Sequence, residues 1–197
     1  SGIVKENVIH LGLMKLLYKY GGLKLPSSTI AIHDLKGIYK KGLTKKGCFC
    51  VEEINRSLYN EFEHFVPGLN IVGCKKNNNI INEIILFYES ILRTDNTDNV
   101  KINGLIHEKL NEYCENEKMN LINGKFFGIK DKNGKPIDIR LLMSSSYIDF
   151  KNDMKCLYVP HKDLIKINKY GWFLRLSQMD LRECKNIICK HLLLGEC

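Results

Sequence analysis

A glycine pair between an apolar helix and an extended segment is the feature that most constrains the fold of this chain. Apolar residues recur every three or four positions across Ile3–Tyr20, which predicts a helix with one apolar face. Gly21 and Gly22 end that helix, because glycine readily adopts the left-handed conformation that closes a helix. Leu23–Leu25 is predicted to be a short strand that stops at Pro26, since proline lacks the N–H that a ladder needs. The chain is therefore expected to turn sharply from a helix into a sheet.

Strands and helices alternate along the rest of the sequence. The apolar run Leu69–Cys74 is predicted to be a buried strand, and Ile80–Leu92 keeps a helical apolar spacing for three turns. Ile102–Tyr113 is predicted to be a second amphipathic helix. This alternation is typical of an α/β fold in which helices layer a mixed sheet, and we expect one domain over residues 1–197.

Local signals predict several shorter elements. Asp131–Gly134 contains the Asn-Gly step of a tight hairpin turn, with Phe126–Ile129 as the first arm. Ser177, with Asp180 three residues later, forms a capping box that predicts a helix through Leu193. The remaining predictions are helices at Asp34–Lys41, Ile139–Met143 and Lys162–Ile167, and strands at Cys48–Val51 and Leu157–Val159.

The charge balance bears on possible partners. The chain has 30 Lys and Arg against 22 Asp and Glu, a net charge of +8, which favours anionic partners. The clearest basic cluster comprises Lys36, Lys40, Lys41, Lys45 and Lys46 around a glycine-containing turn. Tyr39 is the only aromatic residue among these lysines, which is too few for a platform that stacks single-stranded nucleic acid, so we interpret the cluster as a solvated loop. A nucleic-acid partner is therefore not expected.

The eight cysteines bear on metal binding and on the cellular compartment. No C-x-x-C unit or Cys/His quartet has zinc-finger spacing, so a thiolate metal site is not expected. Cys156 stands in an apolar segment, where a reduced thiol serves as a small hydrophobic side chain. This usage favours a reducing, cytosol-like compartment over a disulfide-stapled secreted fold. No apolar run approaches the about 20 residues that a membrane-spanning helix needs.

Three parts of the sequence carry a family resemblance. The run Leu13–Leu25 resembles the signature of glycosyltransferases with a DXD-containing sugar-binding region, the capsular-polysaccharide and initiating-mannosyltransferase type. In that family a helix ends in Tyr-Gly-Gly and a strand then delivers Asp-x-Asp. Asn70–Lys76 resembles the family's next strand, and Asn103-Gly104 is similar to its glycine-containing turn at a helix start, where N–H groups would face a diphosphate. The resemblance implies a GT-A-like fold, with an amino-terminal nucleotide-binding part upstream of Ser1, so that residues 1–197 would be its carboxyl-terminal portion.

The acidic motif itself is degenerate, because its two acidic positions fall on Pro26 and Ser28. A nucleotide-sugar diphosphate needs Mg²⁺ or Mn²⁺ to neutralise its leaving charge, and these cations prefer carboxylate oxygen. Metal-dependent transfer by the family's usual route is therefore not expected, and Mn²⁺ or Mg²⁺ would be required only by an active form. Asp34 is a substitute metal ligand or, alternatively, a helix-start acid that stabilises the dipole. In this form, and in the block Tyr170–Ser177, the sequence is similar to glycosyltransferase-like proteins of large DNA viruses.

The resemblance and the residue chemistry together give a set of candidate ligand contacts. Those implied for a nucleotide sugar are Gly21, Gly22, Ser27, Ser28, Asn103 and Gly104. Trp172 and Arg175 could stack on a base or sugar and hold a phosphate, or Trp172 could be a core anchor with Arg175 at the surface. Two functions stay open, besides the weaker alternative of nucleic-acid binding through the basic surplus. One is a non-catalytic virion or host-interaction component, and the other is an active transferase that passes a sugar from a nucleotide donor to a glycan acceptor through an atypical site.

Overall fold

The computed structural model describes residues 2–55, 65–94 and 98–194. Within these residues the fold is mixed α/β. The chain divides into two compact units, a first unit of residues 1–25 and 36–122 and a second unit of residues 26–35 and 123–197. A single domain over both units stays a prediction.

The elements follow one another in a mixed order. Along the chain they are α1 (Gly2–Tyr20), β1 (Gly22–Lys24), β2 (Thr29–Ala31), α2 (Lys36–Gly42), β3 (Cys48–Ile54), β4 (Phe65–Cys74), α3 (Asn79–Thr94), α4 (Asn99–Glu115), β5 (Asn120–Ile122), α5 (Ile139–Leu142), β6 (Cys156–Tyr158), α6 (His161–Lys166), α7 (Gln178–Glu183) and α8 (Ile187–Leu194). Two 3-10 helices lie at Gly124–Phe127 and Asn168–Arg175.

The first unit contains a four-stranded sheet in the order β1-β4-β3-β5. β4 pairs antiparallel with β1 and β3, whereas β3 pairs parallel with β5, so the predicted mixed sheet is confirmed. Alternate residues of β3 reach opposite faces. Cys48 and Cys50 pack into the apolar core formed with α1, α3 and α4, while Phe49 contacts Tyr39 of α2 edge to face, with ring centroids 6.3 Å apart. Helices thus cover both faces of the strand.

The glycine pair ends α1 as the sequence predicts. Gly21 has φ +71° and Gly22 has φ +107°, values that favour glycine. The Gly21 N–H donates to the Leu17 carbonyl at 2.7 Å. A Cβ at position 21 would lie 2.8 Å from the Lys76 backbone nitrogen, whereas at position 22 it would meet open space. Position 21 therefore requires glycine for two reasons, its left-handed conformation and its close contact with the Lys76 backbone.

The turn between β4 and α3 caps the last carbonyls of α1. The Cys74 thiol donates to the Leu17 carbonyl at 3.4 Å. The Asn77 N–H donates to the Tyr18 carbonyl at 2.8 Å. These bonds satisfy carbonyl groups that a helix end leaves without partners inside the helix. They also hold β1 in register with β4, where Gly22 stands opposite Cys74.

The second unit has its own small sheet and core. β2 pairs antiparallel with β6, and Ile30 stands opposite Leu157. Leu157 packs with side chains of α5, α6 and α8, among them Leu142 and Ile188. The predicted capping box at the start of α7 is confirmed, because Ser177 and Asp180 exchange both of its hydrogen bonds.

The hairpin predicted in the second unit has its turn, but the prediction that two strands flank this turn is wrong. The turn exists, with the Asp131 carboxylate accepting the Lys135 N–H at 2.8 Å, but the strand pairing is reduced to one bridge between Lys130 and Pro136. Phe126 lies in a 3-10 helix and not in a strand. The cause is local, since the Asn123 side chain caps that helix at its start.

Two helix boundaries also differ from prediction. The long final helix is interrupted at Cys184, whose backbone is extended, and the Asn186 side chain accepts the Cys189 N–H at 2.8 Å in the first turn of α8. In contrast, α4 begins three residues before Ile102, because the Asp98 side chain accepts two N–H groups of its first turn. Polar caps set both boundaries.

A membrane span is not found in the part of the chain that the structure describes. None of its helices combines the length and the apolar character needed to cross a bilayer.

Replacing Gly21 by alanine is predicted to destabilise the first unit. The added methyl group would have to occupy a left-handed conformation against the Lys76 backbone, a cost of about 2 to 3 kcal/mol. Gly12 offers a control, because it lies within α1, the helix that Gly21 follows, and a Cβ there would meet open space. G12A should stabilise by about 0.5 to 1 kcal/mol. Urea unfolding measures both, and equal effects of the two substitutions would contradict the assigned role of Gly21.

Candidate functional site

The predicted ligand residues are divided between the two units. Gly21, Gly22, Asn103 and Gly104 belong to the first unit, and Ser27, Ser28, Trp172 and Arg175 belong to the second. Each group is described within its own unit.

Ser27 and Ser28 form a turn ahead of β2. The Pro26 carbonyl accepts the Thr29 N–H at 3.2 Å and closes this turn. The Ser28 hydroxyl lies 3.2 Å from Nδ1 of His161 in α6, and its carbonyl accepts the Val159 N–H at 3.0 Å. The backbone of Ser28 is therefore bonded to the residue after β6, and its side chain lies against α6.

The prediction that Asn103 and Gly104 open a helix is wrong. α4 begins at Asn99, so these two residues lie in its second turn. Backbone N–H groups at that depth donate to carbonyls one turn earlier and are not directed at a ligand. The Ile102 N–H already donates to the Asp98 carbonyl at 3.0 Å. The N–H groups of the helix start thus precede Asn103, and the Asp98 carboxylate accepts those of Val100 and Lys101.

Asp34 is an exposed residue that precedes α2 by two positions, not a member of that helix. Among the described residues no three His, Cys, Asp or Glu side chains come together in an arrangement that could hold a metal ion. Asp34 therefore does not belong to such a group.

A cluster of charged and polar groups that the sequence did not reveal lies at an irregularity of β4. Three residues of β4, from Leu69 to Ile71, bulge between its pairings with Cys50 and Val51 of β3. The Glu53 carboxylate accepts the Asn70 N–H and the Asn70 side-chain amide, both at 2.7 Å. Side chains of the neighbouring strands thus satisfy backbone groups that the ladder leaves unpaired.

Lys24 of β1 completes this bulge cluster, which we define as His10, Lys24, Glu53 and Asn70. Its ammonium group donates to the Leu69 carbonyl. Burial lowers the pKa of Lys24 to about 8, and the nearby Glu53 carboxylate opposes that decrease. The Lys24 ammonium group therefore loses its proton more readily than an exposed lysine does. Lys24 lies two residues before Pro26.

His10 of α1 is the other titratable member of the bulge cluster. Burial lowers its pKa to about 4, and the positive charge of Lys24 contributes to the decrease. His10 is therefore neutral at physiological pH. Sequence reasoning missed it, since a single histidine in an apolar helix is a weak signal. A better signal was Gly68, where a Cβ would fall 1.9 Å from the Glu53 carboxylate.

The second unit contains an open groove of about 470 Å³, which we call the Trp172 groove. Its lining combines an aromatic ring, apolar side chains and polar groups of both charge signs: Met143, Ser145, Trp172, Leu176, Asp180, Glu183, Cys184, Lys185 and Asn186. Trp172 is 50% exposed and contacts Phe173 edge to face, with ring centroids 6.0 Å apart. Trp172 is therefore not a core anchor, and part of its ring is free to receive a ligand.

The polar groups of the Trp172 groove differ in how firmly they are held. Asp180 is bound to the Ser177 hydroxyl and N–H through the capping box. The Asn186 amide contacts the Met143 sulfur at 3.7 Å and is buried. Glu183 and Lys185 are exposed. Arg175 is exposed at the end of the 3-10 helix but does not line the groove.

The arrangement suits a ligand with one flat apolar face and several hydroxyl groups. An indole ring can pack against the C–H groups of a sugar ring, while carboxylates, an amide and an ammonium group bond its hydroxyls. The structure thus places Trp172, one of the two predicted stacking residues, beside polar groups that sequence reasoning missed.

Neutral His10 makes the stability of the first unit pH-dependent. Its pKa is about 4 in the folded chain and 6.5 when unperturbed. Above the higher value both states are neutral, and as the pH falls towards the lower one the unfolded state binds a proton that the folded state resists. Folding stability should therefore decrease by about 2 to 3 kcal/mol over this window.

The variant H10Q should lose this contribution, and H33Q is the control because His33 is exposed outside the cluster. Urea midpoints measured across the same pH window provide the test. A wild-type curve that runs parallel to that of H10Q would contradict the assignment.

Comparison with known proteins adds no relative from which a role could be transferred. No protein-family model matches the sequence, and neither a curated protein nor a solved structure matches the chain.

Proposed function

We propose that this chain is a glycosyltransferase-like domain that has lost its metal-binding carboxylates and binds a sugar ligand without metal-dependent transfer. Its role would be that of a non-catalytic component of a virion or of a host interaction. The observation that carries the proposal is the junction of α1, Gly21-Gly22 and β1 beside β4, followed by Pro26 and Ser28 where the resemblance places two acids.

The geometry of the junction supports the kinship. In the family that the sequence resembles, a helix ending in Tyr-Gly-Gly leads into the strand of the sugar-binding region. Here both glycines adopt positive φ, and β1 pairs with β4 from Gly22 to Lys24. β4 then leads into α3, which follows the order of the resemblance.

The surface around β1 also supports this proposal. β1 is an edge strand in the sheet of the described residues. α1 exposes a row of apolar side chains that includes Ile9, Leu13, Leu16 and Tyr20. Exposed apolar rows and open edges are surfaces that proteins usually cover. The family's amino-terminal nucleotide-binding part would cover such a surface.

The change at positions 26 and 28 supports a loss of metal-dependent transfer. A prolyl ring offers no ligand atom, and a serine hydroxyl is a weak substitute for a carboxylate. Ser28 is moreover within hydrogen-bond distance of His161. An active form would need metal-binding carboxylates from another part of the protein, or a transfer mechanism that uses no metal ion.

The Trp172 groove supports a sugar ligand independently of the junction. Its half-exposed indole lies beside two carboxylates and an ammonium group, an arrangement that can bind a polyhydroxylated ring. It is the observation that favours a glycan over a purely structural role.

Restoring the acids should restore metal binding. The double variant P26D/S28D is expected to bind Mn²⁺ at least about tenfold more tightly than the wild type, because paired carboxylates supply hard oxygen ligands. P26N/S28N is the matched control, with similar side-chain shape and no charge. Isothermal titration with MnCl₂ measures all three proteins. Equal affinities would show that these positions are not a disarmed metal site.

Measurements on the wild-type protein distinguish the non-catalytic proposal from the alternative of an active transferase. Uridine and guanosine diphosphate sugars are titrated with and without Mn²⁺, and release of the nucleoside diphosphate is followed. The proposal predicts binding without release. Turnover would assign an active transferase with an atypical site, and the absence of both binding and release would contradict nucleotide-sugar binding.

Removing the indole should weaken glycan binding. W172A is expected to lose about tenfold in affinity for an oligosaccharide selected on a printed glycan array, since the stacking surface is lost. Y147A is the control, because Tyr147 is 88% exposed in the same unit and does not line the groove. Equal losses in both variants would contradict a site at Trp172.

A further inference from the structure

Two cysteines from distant parts of the sequence meet in the core of the first unit. Cys50 lies in β3 and Cys114 in the last turn of α4, 64 residues further along the chain. Their sulfur atoms are 3.7 Å apart and share a hydrogen bond. Both are free thiols. The two sulfurs are thus in contact, and a disulfide bond requires them to approach by less than about 2 Å more.

We propose that Cys50 and Cys114 are a redox modification site that a hydroperoxide oxidises to a disulfide. The proposal does not depend on the sugar-binding function, because it rests on a contact between β3 and α4 and uses neither the Trp172 groove nor residues 21–28.

The two thiols differ in access. Cys50 is fully buried, whereas Cys114 is partly exposed. A small peroxide in solution can therefore reach Cys114 first. Cys50 then stands behind it as the second thiol, already in contact with the sulfur that it must attack.

The electrostatics of the pair assign the same order. The hydrogen bond from Cys50 holds the pKa of Cys114 below its usual value. Donating that bond, together with burial, raises the pKa of Cys50. Thiolates are the reactive form, so Cys114 is the nucleophile.

Neighbouring thiols do not share these properties. Burial raises the pKa of Cys48 to about 12 and that of Cys74 to about 11. The Cys74 thiol donates to the Leu17 carbonyl, and the Cys48 thiol lies 3.9 Å from the Lys118 carbonyl. Reaction is therefore directed to the pair, although all these cysteines lie in the same core.

The chemistry balances in two steps. The Cys114 thiolate attacks one peroxide oxygen, the O–O bond breaks, and hydroxide or alkoxide leaves, so that Cys114 becomes a sulfenic acid. The Cys50 sulfur then attacks the Cys114 sulfur, the S–O bond breaks, and the hydroxyl group leaves with the Cys50 proton as water. The two thiols lose two electrons, and the peroxide accepts them.

The product would tie β3 to the end of α4. Closing a loop between positions 50 and 114 reduces the freedom of the unfolded chain, so the oxidised first unit should unfold at a higher temperature than the reduced one. Reduction by dithiothreitol should reverse the change.

The test treats the intact wild-type chain with hydrogen peroxide and maps its peptides by mass spectrometry without reduction. The expected result is a peptide pair joined through Cys50 and Cys114, lighter by two hydrogen atoms and separated by dithiothreitol. Recovery of both cysteines as thiols, or of Cys114 only as sulfinic acid without a linked peptide, would overturn the proposal. This measurement needs no variant.

Cysteine variants then test whether the Cys50–Cys114 disulfide causes the rise in melting temperature. C114S should abolish the rise in melting temperature on oxidation, and C50S should leave Cys114 as a sulfenic acid that a dimedone probe captures. C184S is the control, because Cys184 is partly exposed in the second unit and interacts with Cys189, a second thiol pair. It should keep the rise. Loss of the rise in C184S, with retention in C114S, would assign the redox effect to the other pair and contradict the proposal.

Discussion

The backbone of Gly21 lies against the turn between β4 and α3, so close that a methyl group would fall 2.8 Å from the Lys76 nitrogen. This contact brings the end of α1 within reach of the Cys74 thiol and the Asn77 N–H, which satisfy its last carbonyls. β1 then enters the sheet with Gly22 opposite Cys74. The end of α1, the edge strand β1 and the strand β4 thus meet at Gly21 and Gly22. The proposal about positions 26 and 28 depends on this junction, because it sets where the chain after β1 begins.

The same sheet tolerates the bulge of β4 because charged side chains bond the backbone groups that the bulge leaves unpaired. At the bulge of β4, Lys24 bonds a carbonyl and Glu53 bonds an N–H, and neither group has a strand partner in the ladder there. Burial of a lysine is costly unless its ammonium group is paired, and the low pKa of Lys24 reflects that cost. His10 lies close enough to be affected by the same charge. The cluster therefore links the stability of β1 to proton binding.

Regular periodicity made the central elements predictable from the sequence. The apolar spacing of Ile80–Leu92 corresponds to α3, and the run Leu69–Cys74 corresponds to the buried end of β4. The short strands β2 and β5 were missed, since three residues carry too little pattern and their partners are far along the chain. The early start of α4 was missed because its cap, Asp98, lies in a polar stretch that is typical of a loop.

The candidate site was less predictable than the fold. Trp172 was singled out because it is the only tryptophan, and its half-exposed ring lines a groove. Asn103-Gly104 was misplaced because the helix start was misjudged by three residues. The bulge cluster and the Cys50–Cys114 contact depend on pairings between distant segments. Neither follows from a local pattern, and both needed the sheet register.

Amide hydrogen exchange, with and without a panel of uridine and guanosine diphosphate sugars, tests the central claim most directly. If the segment after α1 is the sugar-binding region of a disarmed glycosyltransferase, a bound ligand should slow exchange at the backbone N–H groups of residues 21–25, 27 and 28, without any requirement for Mn²⁺. Unchanged exchange in that segment with every member of the panel would contradict the account.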